Sequence, residues 1–275
     1  MSLKFDGSVV LAGAGKMGGA LLAGWLERGL DPARVIIQEP DLSGAALELA
    51  KAHGIKAAAS LGPMSAPPAV IVVAVKPQAM DNVFPTLAKA AGPETVIMSI
   101  AAGKTIASFE RDLPAGTAVV RAMPNTPAAI GRGITGAVAN SRTSPAQKDI
   151  CESLLRAVGD VVWVSDESHI DAVTAVSGSG PAYVFLLAEA LTQAGVAAGL
   201  DAATASRLAC ATVSGAGELL NQSKLDPATL RQNVTSPGGT TAAALAVLMR
   251  DGDGLKELMT EAVLAALKRG RELGH

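Results

Sequence analysis

The chain has 275 residues, 49% of them hydrophobic, which is enough for one large domain or two ordinary ones, each with its own core. Its 23 Lys and Arg stand against 25 Asp and Glu, a net charge of −2, and no basic run occurs that would neutralise a nucleic-acid backbone. Apolar runs such as residues 69–75 are far short of a bilayer span, and the first residues, with Lys4 and Asp6, lead directly into a strand pattern without a targeting segment. The expected setting is therefore cytoplasmic, with neither membrane nor nucleic acid as a partner.

Residues 9–12, Val-Val-Leu-Ala, meet three spaced glycines, Gly13, Gly15 and Gly18, with Ala14, Lys16 and Met17 between them, and residues 20–26 continue as a helix. Strand, turn and helix start in that order suit a dinucleotide. Gly13 permits the tight turn, Gly15 lets the backbone approach a pyrophosphate, Gly18 lets the helix pack on the strand, and the positive helix end attracts the phosphates. A plain structural turn is the competing reading of so short a motif. Residues 35–37 supply a second strand, and Glu39 follows where a carboxylate would accept ribose hydroxyls. Ser43 can cap a helix over 45–51 that Gly54 ends.

Residues 69–75 are almost wholly apolar and β-branched, the pattern of a parallel strand covered on both faces, so Ala74, Val75, Lys76 and Pro77 at its end should face the ligand crevice. Residues 95–100 repeat that pattern and run into Ile100, Ala101 and Ala102, small enough after the isoleucine for a flat ring to lie close to the backbone. A further strand over 118–121 leads to Asn125 between two prolines. Asn125 either fixes a nicotinamide amide or stabilises the turn, Lys76 is either an electrophile or a solvated charge, and Arg121 is expected to pair with a carboxylate in the sheet.

Alternation of strand and helix stops near Val164, and from Asp166 onward only helical patterns follow, over 181–199, 202–220 and 255–273. The fold class is thus α/β: a Rossmann-type doubly wound sheet over residues 1–164, which binds the dinucleotide, followed by an all-helical domain over 165–275. Those helices are too apolar to stand in water, so two identical bundles burying one another account for them; a core made within one chain is the alternative. Cys151 and Cys210 read as buried small thiols, and His53, His169 and His275 lack ligand spacing, so no metal is expected. Ser236, Pro237, Gly238, Gly239, Thr240 and Thr241 directly precede an apolar helix over 242–249. They form either an anion nest, where backbone N–H groups and threonine hydroxyls hold a small carboxylate, or an ordinary helix cap. Residues 177–181, Ser-Gly-Ser-Gly-Pro, carry the same ambiguity, with Pro181 suited to a first helical turn. No Ser-His-Asp order, paired carboxylates or placeable His or Lys base emerges, which points to a reaction needing little proton abstraction.

Taken together, residues 13–18, 74–77, 121–127, 176–183 and 236–241 make the chain resemble the pyrroline-5-carboxylate reductase family along essentially its whole length. The resemblance implies hydride transfer from NAD(P)H to the C=N carbon of 1-pyrroline-5-carboxylate, giving L-proline in the last step of proline synthesis. It also implies homodimers with interleaved helical domains, often assembled further into a decamer. By the same resemblance Ser236, Gly238, Gly239, Thr240 and Thr241 hold the substrate, with the catalytic Thr241 hydroxyl nearest the ring nitrogen, and the 74–77 and 100–102 segments line the nicotinamide. Such an imine is more basic than a carbonyl and can arrive protonated, so alignment and exclusion of water carry the reaction. Many relatives have Ser or Arg after the second strand to hold a 2′-phosphate; Gln38-Glu39-Pro40-Asp41 here points to good use of NADH. Two other readings stay open. A 3-hydroxy-acid dehydrogenase would want a lysine that residues 184–198 lack, and a dinucleotide sensor without turnover sits poorly with the intact 236–241 loop.

Overall fold

The computed structural model describes Leu3 and residues 5–274; Lys4 and His275 lie outside the described residues. Short runs rich in Val, Ile and Ala become the strands Val9–Ala12 (β1), Val35–Gln38 (β2), Lys56–Ala58 (β3), Val70–Val73 (β4), Val96–Ser99 (β5), Ala118–Met123 (β6), Gly133–Ala139 (β7) and Gly159–Trp163 (β8). Between them lie the helices Lys16–Glu27 (α1), Gly44–Ala52 (α2), Met80–Ala90 (α3), Ile106–Glu110 (α4) and Pro145–Arg156 (α5), and His169–Val173 (α6) follows β8. The sheet order is β3-β2-β1-β4-β5-β6-β7-β8, and every neighbouring pair is parallel except β6 with β7.

Every residue of β1, β4 and β5 is buried, which is why these strands read as unbroken apolar runs. One face of the sheet packs against Leu21, Leu22 and Trp25 of α1, Ala46 of α2 and Leu154 of α5. The other packs against Phe84 and Leu87 of α3, Phe109 of α4 and Ile170 of α6. Polar and aromatic geometry tightens both layers: the Trp25 indole N–H donates to the Leu154 carbonyl at 2.9 Å, and the rings of Phe84 and Phe109 meet edge-on at 5.0 Å. Since β1 lies between β2 and β4, the strand order reverses there, and a crevice opens beyond the carboxyl ends of those strands. The register sets Ala58, Gln38, Ala12, Val73, Ser99 and Arg121 side by side beneath that crevice.

Two local expectations change. Ser43 does hold the cap position of α2, but its hydroxyl makes no cap bond. Gly44 enters the helix at φ 58°, and this left-handed step departs from the extended-then-helical geometry that a cap hydroxyl needs. Gly54, at φ 63°, ends the helix as expected.

The chain divides into two compact units, one running through Gly178 and taking in residues 267–275, the other Ser179–Ala266. Within the first, α6 passes into a π-helical turn, Thr174–Gly178, whose Ala175 is buried. The second contains Gly180–Ala197 (α7), Ala202–Gln222 (α8), Pro227–Asn233 (α9), Thr240–Leu248 (α10) and the larger part of Leu255–Gly274 (α11). Small residues bring α7 and α8 together: a Cβ on Gly195 would stand 3.1 Å from that of Ala205. Apart from Ala205 and Ala209, α8 buries nothing, and α7 and α10 bury no residue at all. Phe185 is 68% exposed and Leu186 62% exposed, so this unit does not by itself bury its apolar helix faces. Cys210 is exposed for the same reason, against expectation, whereas Cys151 is fully buried and its thiol pKa is pushed up by desolvation. By length and composition alone, one described helical stretch, His169–Ala197, is apolar enough to cross a membrane. Ser, Thr and Gly interrupt its apolar sequence, so it holds no long unbroken apolar run.

Candidate cofactor site

The three glycines behind the crevice do three different things. Gly13 turns at φ 91°, donates its N–H to the Gln38 carbonyl at 2.9 Å, and lies so close to β4 that a Cβ would stand 2.6 Å from the Ala74 carbonyl carbon and oxygen. Gly18 is closed in as well, since its Cβ would fall 2.1 Å from the Gly13 carbonyl oxygen. Gly15, between them, would meet nothing within 4 Å. The protein thus fills the space at the first and third glycines and leaves the second facing open volume. Gly15 is also the cap residue of α1, where no side chain bonds the first-turn N–H groups, so an anion can be met there by bare backbone donors.

This turn lines a cleft of about 840 Å³. Of the residues singled out from the sequence, Gly13, Ala14, Gly15, Lys16, Glu39, Ala74, Val75 and Lys76 come together on its wall. Charged residues of both signs line it: Lys16, the first residue of α1, and Lys76, past the end of β4, with Glu39 and Asp41 past the end of β2. The Glu39 carboxylate is held in place, Oε2 accepting the Ala14 N–H at 3.0 Å and Oε1 the Asp41 N–H at 3.3 Å.

The remaining residues sit off this cleft. Met17 packs into the core on the α1 side, Gly18 backs the turn, and Pro77 opens a short 3₁₀ turn, Pro77–Ala79. Ile100 and Ala101 are buried in the two core layers beyond β5, while Ala102 is exposed on the following turn. Asn125 ties down its turn. Its Oδ1 accepts the Ile134 N–H at 2.9 Å and its Nδ2 donates to the Ser177 carbonyl at 3.2 Å, tying the end of β6 to β7 and to the π-helical turn. Arg121, 6% exposed, pairs with carboxylates as expected, though not with ones in the sheet. Its partners are Glu167 at 2.9 Å and Asp171 at 3.5 Å, because the last sheet row points its side chains toward α6, and Glu167 also accepts the Ile106 N–H at 2.8 Å.

In the helical unit, Gly238 takes a left-handed φ of 69°, and the Gly239 N–H donates to the Ser236 carbonyl at 3.0 Å. Thr240 and Thr241 then form the first turn of α10, which has no side-chain cap bond. Gly239 holds the cap position of α10 in an extended conformation. Among the described residues no cluster of His, Cys, Asp and Glu has the make-up of a metal site.

A curated relative from Pseudomonas aeruginosa, named pyrroline-5-carboxylate reductase, is 43% identical over 265 residues, with 96% of each chain covered. The chain belongs to the pyrroline-5-carboxylate reductase family. A second reductase of that name, from a Synechocystis strain, is 42% identical over 96% of this chain and 97% of its own. The family profile described as pyrroline-5-carboxylate reductase dimerisation matches residues 167–273, and one described as NADP oxidoreductase, coenzyme F420-dependent, matches residues 8–103. Among solved structures, a pyrroline-5-carboxylate reductase from Coxiella burnetii superposes with a TM-score of 0.90 at 36% identity, covering 98% of this chain and 99% of that one. The Plasmodium falciparum pyrroline carboxylate reductase with NADP bound follows at TM-score 0.78 and 26% identity, covering 98% and 99%. The cleft on the α1 turn is the candidate place for the nicotinamide dinucleotide that this family uses. Its wall also includes residues that the motifs do not reach: Gln38, Ala79, Val83 and Ala129. Strand alternation alone would have marked Gln38, the last residue of β2.

Proposed function

We propose that this chain reduces 1-pyrroline-5-carboxylate to L-proline, as its relatives' name indicates. The dinucleotide supplies a hydride from its reduced nicotinamide, delivered to the imine carbon of the substrate. The chain's own residues bind and orient. Gly13, Gly15 and the bare first turn of α1 hold the pyrophosphate, with Lys16 and Lys76 adding positive charge at the cleft. Glu39 accepts the hydroxyls of the adenosine ribose, and its negative charge opposes a 2′-phosphate, so NADH is used efficiently and NADPH is accepted without strong preference. In the helical domain, over residues 165–275, the backbone N–H groups of Gly239, Thr240 and Thr241 take the substrate carboxylate. The Thr241 hydroxyl serves the ring nitrogen, whose basicity lets it arrive already carrying a proton.

The observation that carries this reading is the open face of Gly15 at the amino end of α1, in a chain that matches reductases of this name along 96% of its length. The apolar α7, α8 and α10 surfaces left bare in one chain are the dimer interface, which also accounts for the apolar 169–197 stretch in a cytoplasmic protein. Reduced-nicotinamide absorbance, followed with pyrroline-5-carboxylate, with no substrate, and in reverse with a 3-hydroxy acid, tests the function. Oxidation of NADH only with the imine supports it, whereas turnover of the hydroxy acid or none with any substrate overturns it.

A further inference from the structure

Gln38, beside Glu39, carries a feature that phosphate and ribose binding do not use. Its side chain is in a residue only 5% exposed, yet Oε1 has no hydrogen-bond partner among the described residues. A buried amide oxygen without a donor is destabilising and uncommon, and in a native structure it calls for an explanation. The sheet cannot supply the donor, because Gln38 lies in register between Ala12 and Ala58. Gln38 does line the dinucleotide cleft.

Alternation along β2 says which part of the ligand it meets. Successive residues face opposite sides of a sheet, so Gln38 shares the side of Ile36, which packs with the α3 layer. Val75 and Val83 belong to that layer and line the cleft together with Ala79. Glu39, one residue on, is instead tied to the phosphate turn through Ala14. On the Gln38 side the cleft therefore offers apolar side chains for a flat ring and one carboxamide edge. A carboxamide presents an acceptor and a donor side by side, the complement of the 6-amino group and neighbouring ring nitrogen of adenine. We propose that Gln38 reads the adenine base of the dinucleotide, with Oε1 accepting from the 6-amino group, while Glu39 serves the ribose. The inference rests on the cleft being a dinucleotide site.

The test is calorimetric titration of the full-length protein, without substrate, using NADH and its deamino analogue, in which a 6-oxo group replaces the 6-amino group. The wild-type protein should bind NADH about tenfold more tightly than the analogue. Gln38→Met, which keeps the length and removes both polar atoms, should bind the two within about twofold, through weakened NADH binding. Its ligand-free thermal midpoint should equal or exceed that of wild type, since no internal hydrogen bond of Oε1 is lost; a purely structural role would lower it. Equal wild-type affinity for the two dinucleotides overturns the assignment of Gln38 and leaves the cofactor site standing. A Met variant that keeps the preference overturns it too. Failure of the wild-type protein to bind either dinucleotide removes the cofactor reading and this one with it. Should the Met variant not fold, the wild-type comparison still decides.

Discussion

Gly15→Val and Gly18→Ala lie in the same turn and should fail in opposite ways. At Gly18 a Cβ would stand 2.1 Å from the Gly13 carbonyl oxygen and 3.4 Å from the Ala74 Cβ. The first of these neighbours is backbone, fixed by β1 and β4, so the turn itself has to open. Overpacking of this kind costs roughly 1–3 kcal/mol and occasionally more, and with a rigid neighbour we expect about 3 kcal/mol. For a protein of this size that lowers the unfolding midpoint by about 6–12 °C. At Gly15 the backbone is at an ordinary φ of −67° and a Cβ meets nothing within 4 Å. Valine there should leave stability within about 0.5 kcal/mol of wild type. Its branches would instead occupy the volume meant for the pyrophosphate, weakening NADH binding by more than tenfold, about 1.4 kcal/mol or more. Thermal unfolding and fluorescence titration with NADH, run on both variants, separate the two effects. A folded Gly15→Val protein that binds NADH like wild type would refute the phosphate-turn assignment, and a Gly18→Ala protein of unchanged stability would refute the packing argument.

Thr241→Ala should lower kcat about ten- to a hundredfold, the equivalent of roughly 1.5–3 kcal/mol for one hydrogen bond to a charged group, with NADH affinity unaltered; wild-type kinetics would remove Thr241 from the reaction. Glu39→Ser combined with Pro40→Arg should move the kcat/KM ratio toward NADPH by about tenfold or more, and an unmodified enzyme that already favours NADPH by over a hundredfold, about 2.7 kcal/mol, would show that Glu39 does not face the ribose. Phe185→Glu with Leu186→Glu places two carboxylates on a bare apolar face of α7 and should yield monomers in analytical ultracentrifugation, where an undisturbed dimer would assign that face elsewhere. Arg121→Met leaves Glu167 and Asp171, whose side chains are 29% and 26% exposed, without their cation. Denaturant unfolding should show a loss of about 2–4 kcal/mol, less than for a fully buried pair, and a loss under 1 kcal/mol would mean solvent already compensates both carboxylates.

The glycine turn between β1 and α1 was legible because its requirements concern the absence of side chains: Gly13 and Gly18 are glycines for want of room, and want of room leaves a mark in sequence. Strands β4 and β5 were legible because burial on both faces makes them apolar from end to end. Strands β7 and β8 carry glycine at their starts and exposed positions in the run of β8, so their pattern is diluted and neither could be bounded. Asn125 shows the limit more sharply. Its two possible roles differ only in what faces the amide, and the partners that it ties, Ile134 and Ser177, stand 9 and 52 residues away in the chain. Arg121 was expected to find a carboxylate, but the segment supplying it, 46 residues on, depends on how α6 returns to the sheet. Strand alternation can place Gln38 at the cleft, but not its unpaired oxygen, which is a property of its neighbours, here two alanines, and not of glutamine.

The hydrogen bond from the Ala14 N–H to Glu39 joins the acid past β2 to the glycine loop between β1 and α1. With the roles proposed for Glu39 and the loop, choice of dinucleotide and grip on either one are a shared trait. A substitution at position 39 that admits a larger 2′ group also frees the loop, and a freed loop holds both cofactors less firmly. A lineage moving from NADH to NADPH through this residue would first pass through an enzyme poorer with each of them. The order of change is then constrained: a replacement anchor for Ala14 has to arise before, or together with, the loss of the glutamate, and mutational paths that take the steps in the reverse order cross a valley in fitness.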